Sequence, residues 1–238
     1  MGYSVNKFDW VFGFPQSMKN RSFNLVVDFG CGSIPRNPFG SSKVIGADLS
    51  KNSPFVTSAS LEYRQIIPGE KIPFEDSSLD AITGFDVIEH LPRQGSGAEG
   101  NVFIETMNEF YRVLKPGGIL LAVTPCYPSA AAFTDPTHVN IITPGTHKYF
   151  SDDNFAKALS YGFIGEFKTL SAGWYPWAAS WLLNTTMPVS GSSGSEHEDS
   201  AKSYKARFSQ IVKRVREFLI FGLFARGRTH YLWVLEKV

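Results

Sequence analysis

The sequence predicts a three-layer α/β sandwich on a mostly parallel sheet, and three observations carry that expectation. Apolar runs ending in an acid recur early: Val26-Val27-Asp28-Phe29-Gly30-Cys31-Gly32 is followed by Lys43-Val44-Ile45-Gly46-Ala47-Asp48. Parallel strands, buried on both faces, read as such continuous apolar runs. A helix-length segment, 101–114, then places Val102, Phe103, Met107, Phe110, Val113 and Leu114 near one face, between two further apolar runs. Finally, 238 residues with 43% hydrophobic content suffice for one full core, so residues 1–238 are expected to form a single domain.

In chain order, residues 8–22 are aromatic and basic and are expected to form a helix or lid over the first pocket. Strand 1 is expected at 24–28 and strand 2 at 43–48. The Pro-, Gly- and Asn-rich stretch between them leaves room only for a short or irregular crossover. Strand 3 is expected at 61–66 and strand 4 at 79–85. The polar, glycine-rich stretch 93–100 reads as a loop before the 101–114 helix, which Lys115-Pro116-Gly117-Gly118 ends, and strand 5 follows at 119–124. Ser151 is placed to cap a helix over 152–159, with Asp152 and Asp153 at its positive end. Tyr161-Gly162-Phe163 closes it, strand 6 is expected at 164–171, and the last strand at 229–236.

The first two runs describe a nucleoside site. Gly30 and Gly32 let backbone amides approach a ligand closely, and Asp48 sits where an acid takes both hydroxyls of a ribose. A dinucleotide fingerprint requires a third glycine three residues after Gly32, where this chain has Pro35. The turn-rich loop Ser33-Ile34-Pro35-Arg36-Asn37-Pro38 aims no helix dipole at a phosphate. S-adenosylmethionine, which has no phosphate, remains.

Four motifs in order resemble the class I S-adenosylmethionine-dependent methyltransferases, in particular the methyltransferase type 11 group. They are Asp28-Phe29-Gly30-Cys31-Gly32, Asp48, the Ile72-to-Ile82 segment around Pro73-Phe74 that leads into strand 4, and Phe110 to Leu121 around Lys115-Pro116-Gly117-Gly118. The resemblance runs from about residue 24 to about residue 125. It implies a Rossmann-like seven-stranded sheet, mostly parallel with an antiparallel last strand, and S-adenosyl-L-methionine as cofactor.

The same resemblance implies the cofactor-binding set Asp28, Gly30, Cys31, Gly32, Asp48, Leu49, Ile67, Gly69, Phe85 and Asp86. Asp28 either positions the cofactor's amino group or bonds the loop amides. Cys31 reads as a small spacer. The position where many relatives carry an adenine-binding acid is Pro68, so Ile67 and Gly69 are expected to hold adenine through apolar and backbone contact. Phe85 and Asp86, at the carboxyl end of strand 4, are expected to face the methionine half. Asp80 is expected to be structural.

For a hydroxyl acceptor, a base must take a proton as the methyl arrives, and His138 and His90 are the candidates, with Asp135 orienting His138. The bland alternative is that Asp135 and His138 fix their loop. No metal is expected: Asp135, His138 and Asp86 show no metal-ligand spacing. Residues 125–150, with Asp135-Pro136-Thr137-His138-Val139-Asn140, read as a substrate-side insertion, and their resemblance to relatives near sugar-modifying genes implies a small, carbohydrate-like acceptor, most plausibly methylated at oxygen.

A second insertion is expected at 172–228. Its Trp174, Trp177 and Trp181 either line an acceptor pocket or bury the insertion. Its stretch Lys202 to Phe224 reads as an amphipathic basic helix, either solvated or suited to peripheral contact with an anionic membrane. A lipid or quinone-like acceptor at a membrane surface, and a non-catalytic cofactor-binding scaffold, are the alternatives. A net charge of +1 gives no support for nucleic-acid binding, and two cysteines, Cys31 and Cys126, make no disulfide framework. No signal pattern or membrane-length apolar run is present, so a cytoplasmic location is expected. The oligomeric state is left open.

Overall fold

The computed structural model describes residues 18, 20–32, 35–49, 62–94, 100–151, 155–175 and 229–238. Its strands are β1 (Leu25–Phe29), β2 (Lys43–Asp48), β3 (Glu62–Gln65), β4 (Leu79–Phe85), β5 (Leu114–Pro125), β6 (Phe167–Tyr175) and β7 (His230–Lys237). Helices α1 (Val102–Val113), α2 (Ala131–Thr134) and α3 (Phe155–Ser160) accompany them, with 3-10 turns at Ile88–His90 and Thr146–Tyr149. The sheet order is β3-β2-β1-β4-β5-β7-β6. Pairing is parallel from β3 through β5, and β7 runs antiparallel to both β5 and β6. The seven-stranded α/β sheet with an antiparallel last strand is therefore as expected. The order reverses between β1 and β4, and that reversal opens a crevice at the carboxyl ends of these strands.

Successive residues of the central strands feed two separate cores, which is why their sequences are apolar without alternation. Val27, Ile82 and Leu120 join Met107, Phe110 and Val113 of α1 on one face. Val26, Ala81, Ile119 and Leu121 join Met18, Phe23 and Phe39 on the other. Asp80 fastens the bottom of the sheet: its Oδ2 accepts from the amides of Asn24 and Leu25 at 2.9 and 2.8 Å, and its Oδ1 meets Lys115 Nζ at 2.6 Å.

Helix α1 starts where Asn101 Oδ1 accepts from the amides of Phe103 and Ile104, at 3.0 and 3.4 Å. It stops at Leu114, before a turn in which Gly117 has φ +75°. Replacing the cap, Asn101→Ala, is expected to cost about 1 kcal/mol of unfolding free energy, read from urea midpoints. Arg112, near the other end, holds the 72–76 loop through the carbonyls of Ile72 and Phe74 and the carboxylates of Asp76 and Glu109.

Strands β2 and β4 occupy the expected residues, and the crossover between β1 and β2 contains no helix among the described residues. Instead Asn37 closes the loop on itself, its Oδ1 accepting from the Ser41 amide at 2.9 Å and its Nδ2 donating to Ser41 O at 3.0 Å. Strand β6 begins at Phe167 rather than 164 because Asn108 of α1 takes the backbone of Gly162 and Ile164 at 2.9 Å each. There Gly165 is required, since a Cβ would stand 2.4 Å from the Tyr111 ring. Strand β6 also runs on to Tyr175, so residues 172–175, expected in the second insertion, belong to the sheet. Trp174 packs edge-on against Tyr231 of β7, at 5.5 Å between ring centres. Strand β5 is longer than expected because Leu114 pairs with Leu79 before the register shifts. Trp177, Trp181, the 202–224 helix, most of the 8–22 segment and the 152–154 cap residues lie outside the described residues. No described helix is long and apolar enough to cross a membrane.

Candidate active site

The glycine loop follows β1 and is tied to the end of β2. The amides of Gly30 and Cys31 both donate to Ala47 O, at 2.7 and 3.3 Å, and the Gly32 amide donates to Asp48 Oδ2 at 2.9 Å. Gly30 is required twice over: its φ is +67°, and a Cβ would sit 2.3 Å from Val87. Gly32, at φ +59°, faces open space. Cys31 is buried and fills the hollow over Gly46, where a Cβ would stand 2.9 Å from its sulfur. Burial pushes its thiol up to about 12, which suits a spacer and not a nucleophile.

Asp28 lies beneath the loop, and both of its carboxylate oxygens are engaged. Thr83 Oγ1 meets Oδ1 at 2.6 Å, and the Arg36 amide donates to Oδ2 at 2.8 Å. Of the two roles open to Asp28, the geometry displays the loop-bonding one. Burial raises its carboxyl from 3.8 to about 6, against the lowering effect of both bonds.

Leu49 and Ile67, past the ends of β2 and β3, leave apolar side chains 61% and 50% exposed. Two bare apolar groups beside the Asp48 carboxylate and the open face of Gly32 fit an adenosine, with its flat apolar base and its ribose diol. Gly69 is turned toward α1, where a Cβ would meet Val102 and Glu105 at 3.2 and 3.1 Å. Phe85 differs from expectation: its ring is 3% exposed in the core, with the Arg36 guanidinium 4.6 Å above it. Asp86 follows in left-handed backbone, φ +53°, its Oδ1 3.0 Å from His230 Nε2.

Beyond Asp86 the 3-10 turn Ile88–His90 carries a cluster. Glu89 is 1% exposed, and its Oε2 accepts from Thr124 Oγ1 at 2.8 Å. Its Oε1 has no hydrogen-bond partner and lies 4.0 Å from His90 Nε2 and 3.9 Å from His138 Nε2. Burial pushes the Glu89 carboxyl up to about 8, and the nearby Asp86 and Asp135 charges add to the rise. The two imidazoles meet edge to face, 4.7 Å between centres.

Segment 125–150 is laid over this turn by backbone bonds. The amides of Val139 and Asn140 donate to Glu89 O at 2.9 and 3.0 Å, and Asn140 Nδ2 donates to Leu91 O at 2.6 Å. These bonds bring His138 to His90. Asp135 serves the other imidazole, contrary to expectation: its Oδ1 accepts from Thr137 Oγ1 at 2.6 Å, and that oxygen lies 2.9 Å from His90 Nδ1. The Thr137 hydrogen bond holds the Asp135 carboxyl below the usual range, so it is ionised and accepts only. Thr137 therefore gives its single proton to Asp135, and His90 Nδ1 donates to Thr137. His138 Nδ1 lies 3.2 Å from Ala132 O, a carbonyl that only accepts. Both rings thus carry a proton on Nδ1, which leaves Nε2 as the atom turned toward Glu89.

Sequence reasoning missed Glu89 and His230. The signal for Glu89 was its place beside His90 at the carboxyl end of β4, where ligands bind in such sheets. His230 had no local signal, because only the antiparallel pairing of Pro125 with His230 brings it to Asp86.

Residues 27–122 match a family described as a methyltransferase domain. The demethylmenaquinone methyltransferase of Staphylococcus epidermidis is 32% identical over 97 residues, which are 38% of this chain and 36% of that protein. A probable S-adenosylmethionine-dependent methyltransferase of Mycolicibacterium smegmatis is 38% identical over 55 residues, 23% of this chain and 18% of that protein. The chain thus spans well under half the length of these relatives. Among solved structures, a SAM dependent methyltransferase from Archaeoglobus fulgidus superposes with a TM-score of 0.51 at 17% identity, covering 90% of this chain and 86% of that one. That likeness shows the fold. The glycine loop, Asp48 and the sheet order agree with the matched family on S-adenosylmethionine as the cofactor. Over residues 27–122 the chain is similar to the class I S-adenosylmethionine-dependent methyltransferases of the methyltransferase type 11 group.

Proposed function

We propose that this chain is a methyltransferase that transfers a methyl group to a hydroxyl oxygen of a small, carbohydrate-like acceptor. One observation carries the choice of oxygen: two imidazoles whose Nδ1 atoms are engaged turn their Nε2 atoms together just beyond the carboxyl end of β4, one of them, His90, with its side chain 34% exposed. S-Adenosylmethionine supplies an activated methyl group. The alkylated hydroxyl must shed a proton, and a neutral imidazole accepts one near pH 7. His90 is the more accessible acceptor, since the His138 side chain is only 8% exposed. The Asp135–Thr137 pair orients His90 and stabilises the imidazolium it becomes.

Residues 125–150 are the proposed acceptor side. Tyr127 and Phe133 stand 52% and 54% exposed with their rings 6.3 Å apart, offering flat faces suited to a sugar ring. The rest of the acceptor reading rests on the resemblance to relatives of sugar-modifying context.

A second reading, a quinone-like acceptor at a membrane surface, is favoured by the staphylococcal relative named for demethylmenaquinone. Transfer of labelled methyl from S-adenosylmethionine to a panel of polyols, sugars and demethylated quinones separates the two. Labelled sugar ethers are expected. Quinone labelling together with flotation on anionic vesicles would establish the second reading, and cofactor binding without any labelled product would establish a scaffold.

A further inference from the structure

Accepting a proton does not account for all of the geometry at Glu89, His90 and His138. Three ligand atoms, Glu89 Oε1, His90 Nε2 and His138 Nε2, converge on one another. The 3.9 and 4.0 Å separations are too long for direct hydrogen bonds, protonated or not. Glu89 Oε1 is nonetheless buried and without a hydrogen-bond partner. Leaving a buried polar oxygen unmatched is costly.

The surroundings are already committed. Glu89 Oε2 takes the Thr124 hydroxyl, His138 Nδ1 faces Ala132 O, and His90 Nδ1 faces Thr137 Oγ1, itself held by Asp135. An outer ring of oxygens on the far nitrogen of each imidazole is how proteins orient histidines toward a metal ion. One ligand atom from each of the three residues lies within 4.8 Å of the others. An ion centred among donors separated by 3.9, 4.0 and at most 4.8 Å stands about 2.3–2.5 Å from each, so an inward movement of a few tenths of an ångström reaches the ~2.0–2.2 Å of zinc bonds.

We propose that Glu89, His90 and His138 form a three-ligand site for a divalent first-row transition-metal ion. Two imidazoles and one carboxylate suit zinc and its neighbours better than magnesium or calcium, which prefer all-oxygen shells. Three protein ligands would leave an open position on the ion. That this position takes the acceptor's hydroxyl rests on the function proposed above; the binding of the ion does not. A ligated Nε2 no longer accepts a proton, so in the metal-loaded chain a hydroxyl at the open position would lose its proton to solvent under the pull of the ion, and the base role of His90 proposed above belongs to the metal-free chain.

The sequence holds one competing candidate, the acidic run Glu196-His197-Glu198-Asp199. The full chain is stripped with chelator and dialysed against zinc, and bound metal is counted per chain. One ion is expected, with affinity falling by more than about tenfold in each of Glu89→Gln, His90→Ala and His138→Ala but not in His197→Ala. Glu89→Gln keeps the shape and an acceptor for Thr124, and thermal unfolding with cofactor binding confirms the fold of every variant. In the wild-type chain loaded with cobalt, two exchangeable, paramagnetically shifted imidazole N–H signals are expected, one per ligating ring. No ion bound at about 100 μM zinc, well above the range of built sites, overturns the proposal. So does binding that survives all three substitutions or vanishes in His197→Ala. Absent metal with intact S-adenosylmethionine binding defeats this site alone, whereas absent cofactor binding with intact metal defeats the function proposed.

Discussion

Asp28→Ala is expected to lower the free energy of unfolding by about 2 kcal/mol at pH 5, because it strands two buried groups at once. Thr83 Oγ1 and the Arg36 amide both bond this carboxyl, and neither has a substitute among the described groups. The loop that starts at Arg36 loosens with it. Asp28→Asn behaves differently, since it keeps an acceptor for the Arg36 amide and offers a donor to the hydroxyl of Thr83.

The two variants also separate hydrogen bonding from charge. Burial raises the Asp28 carboxyl from 3.8 to about 6, so the folded chain holds this proton over a window in which the unfolded chain has released it. Stability from this group is complete below the lower value and declines as pH rises through the upper one, by up to about 3 kcal/mol in all. The difference in urea midpoint between wild type and Asp28→Asn should therefore grow in favour of the asparagine between pH 4 and pH 7. Parallel pH profiles would show that the carboxyl is not perturbed. A bound cofactor that places a cation near the loop shrinks the difference.

His90→Ala is expected to lower kcat by about 10²- to 10⁴-fold while leaving S-adenosylmethionine affinity near wild type. His90 lies beyond β4 and the Gly32–Asp48 contact beyond β1 and β2, so the proposed base and the proposed cofactor-binding residues stand on different elements. Thr137→Val removes only the acceptor that holds Nδ1–H and severs Asp135 from the ring. Its loss should be smaller, on the order of tenfold, and confined to kcat with KM unchanged. Single-turnover and steady-state rates on the acceptor found by the panel supply the comparison. An unchanged kcat in His90→Ala would move the chemistry elsewhere.

Strands β2 and β4 could be read to the residue because each is an apolar run with a decisive end: Asp48 closes one, and Asp86 in left-handed backbone follows the other. Helix α1 was readable for the same kind of reason, a cap at Asn101 and a stop at Leu114 just before Lys115-Pro116-Gly117-Gly118. Strand β6 was not, because its start is decided by Asn108, which takes the backbone at Gly162 and Ile164 from a distant helix. The candidate site divides in the same way. Asp28, Gly30, Gly32 and Asp48 act through neighbours fixed by the parallel pairing of β1 with β2, so their positions followed from spacing. Phe85 did not open to the cleft because Arg36, from an irregular loop, stacks on its outer face. Glu89, His138 and His230 meet their partners only through tertiary pairing, and the choice of His90 over His138 as the exposed ring depends on how the 125–150 segment lies across Glu89. Asp135 illustrates this most clearly: three residues before His138 in sequence, it serves His90 through Thr137.

Asp48 is central because its carboxylate fastens the glycine loop and is also the group proposed to receive the ribose. Titration calorimetry of the full chain with S-adenosylmethionine tests this directly. Saturable one-to-one binding is expected in wild type, weakened by about 1–3 kcal/mol, roughly 10- to 100-fold, in Asp48→Ala with its fold retained. No heat of binding at millimolar cofactor, or equal affinity in the two proteins, would contradict it.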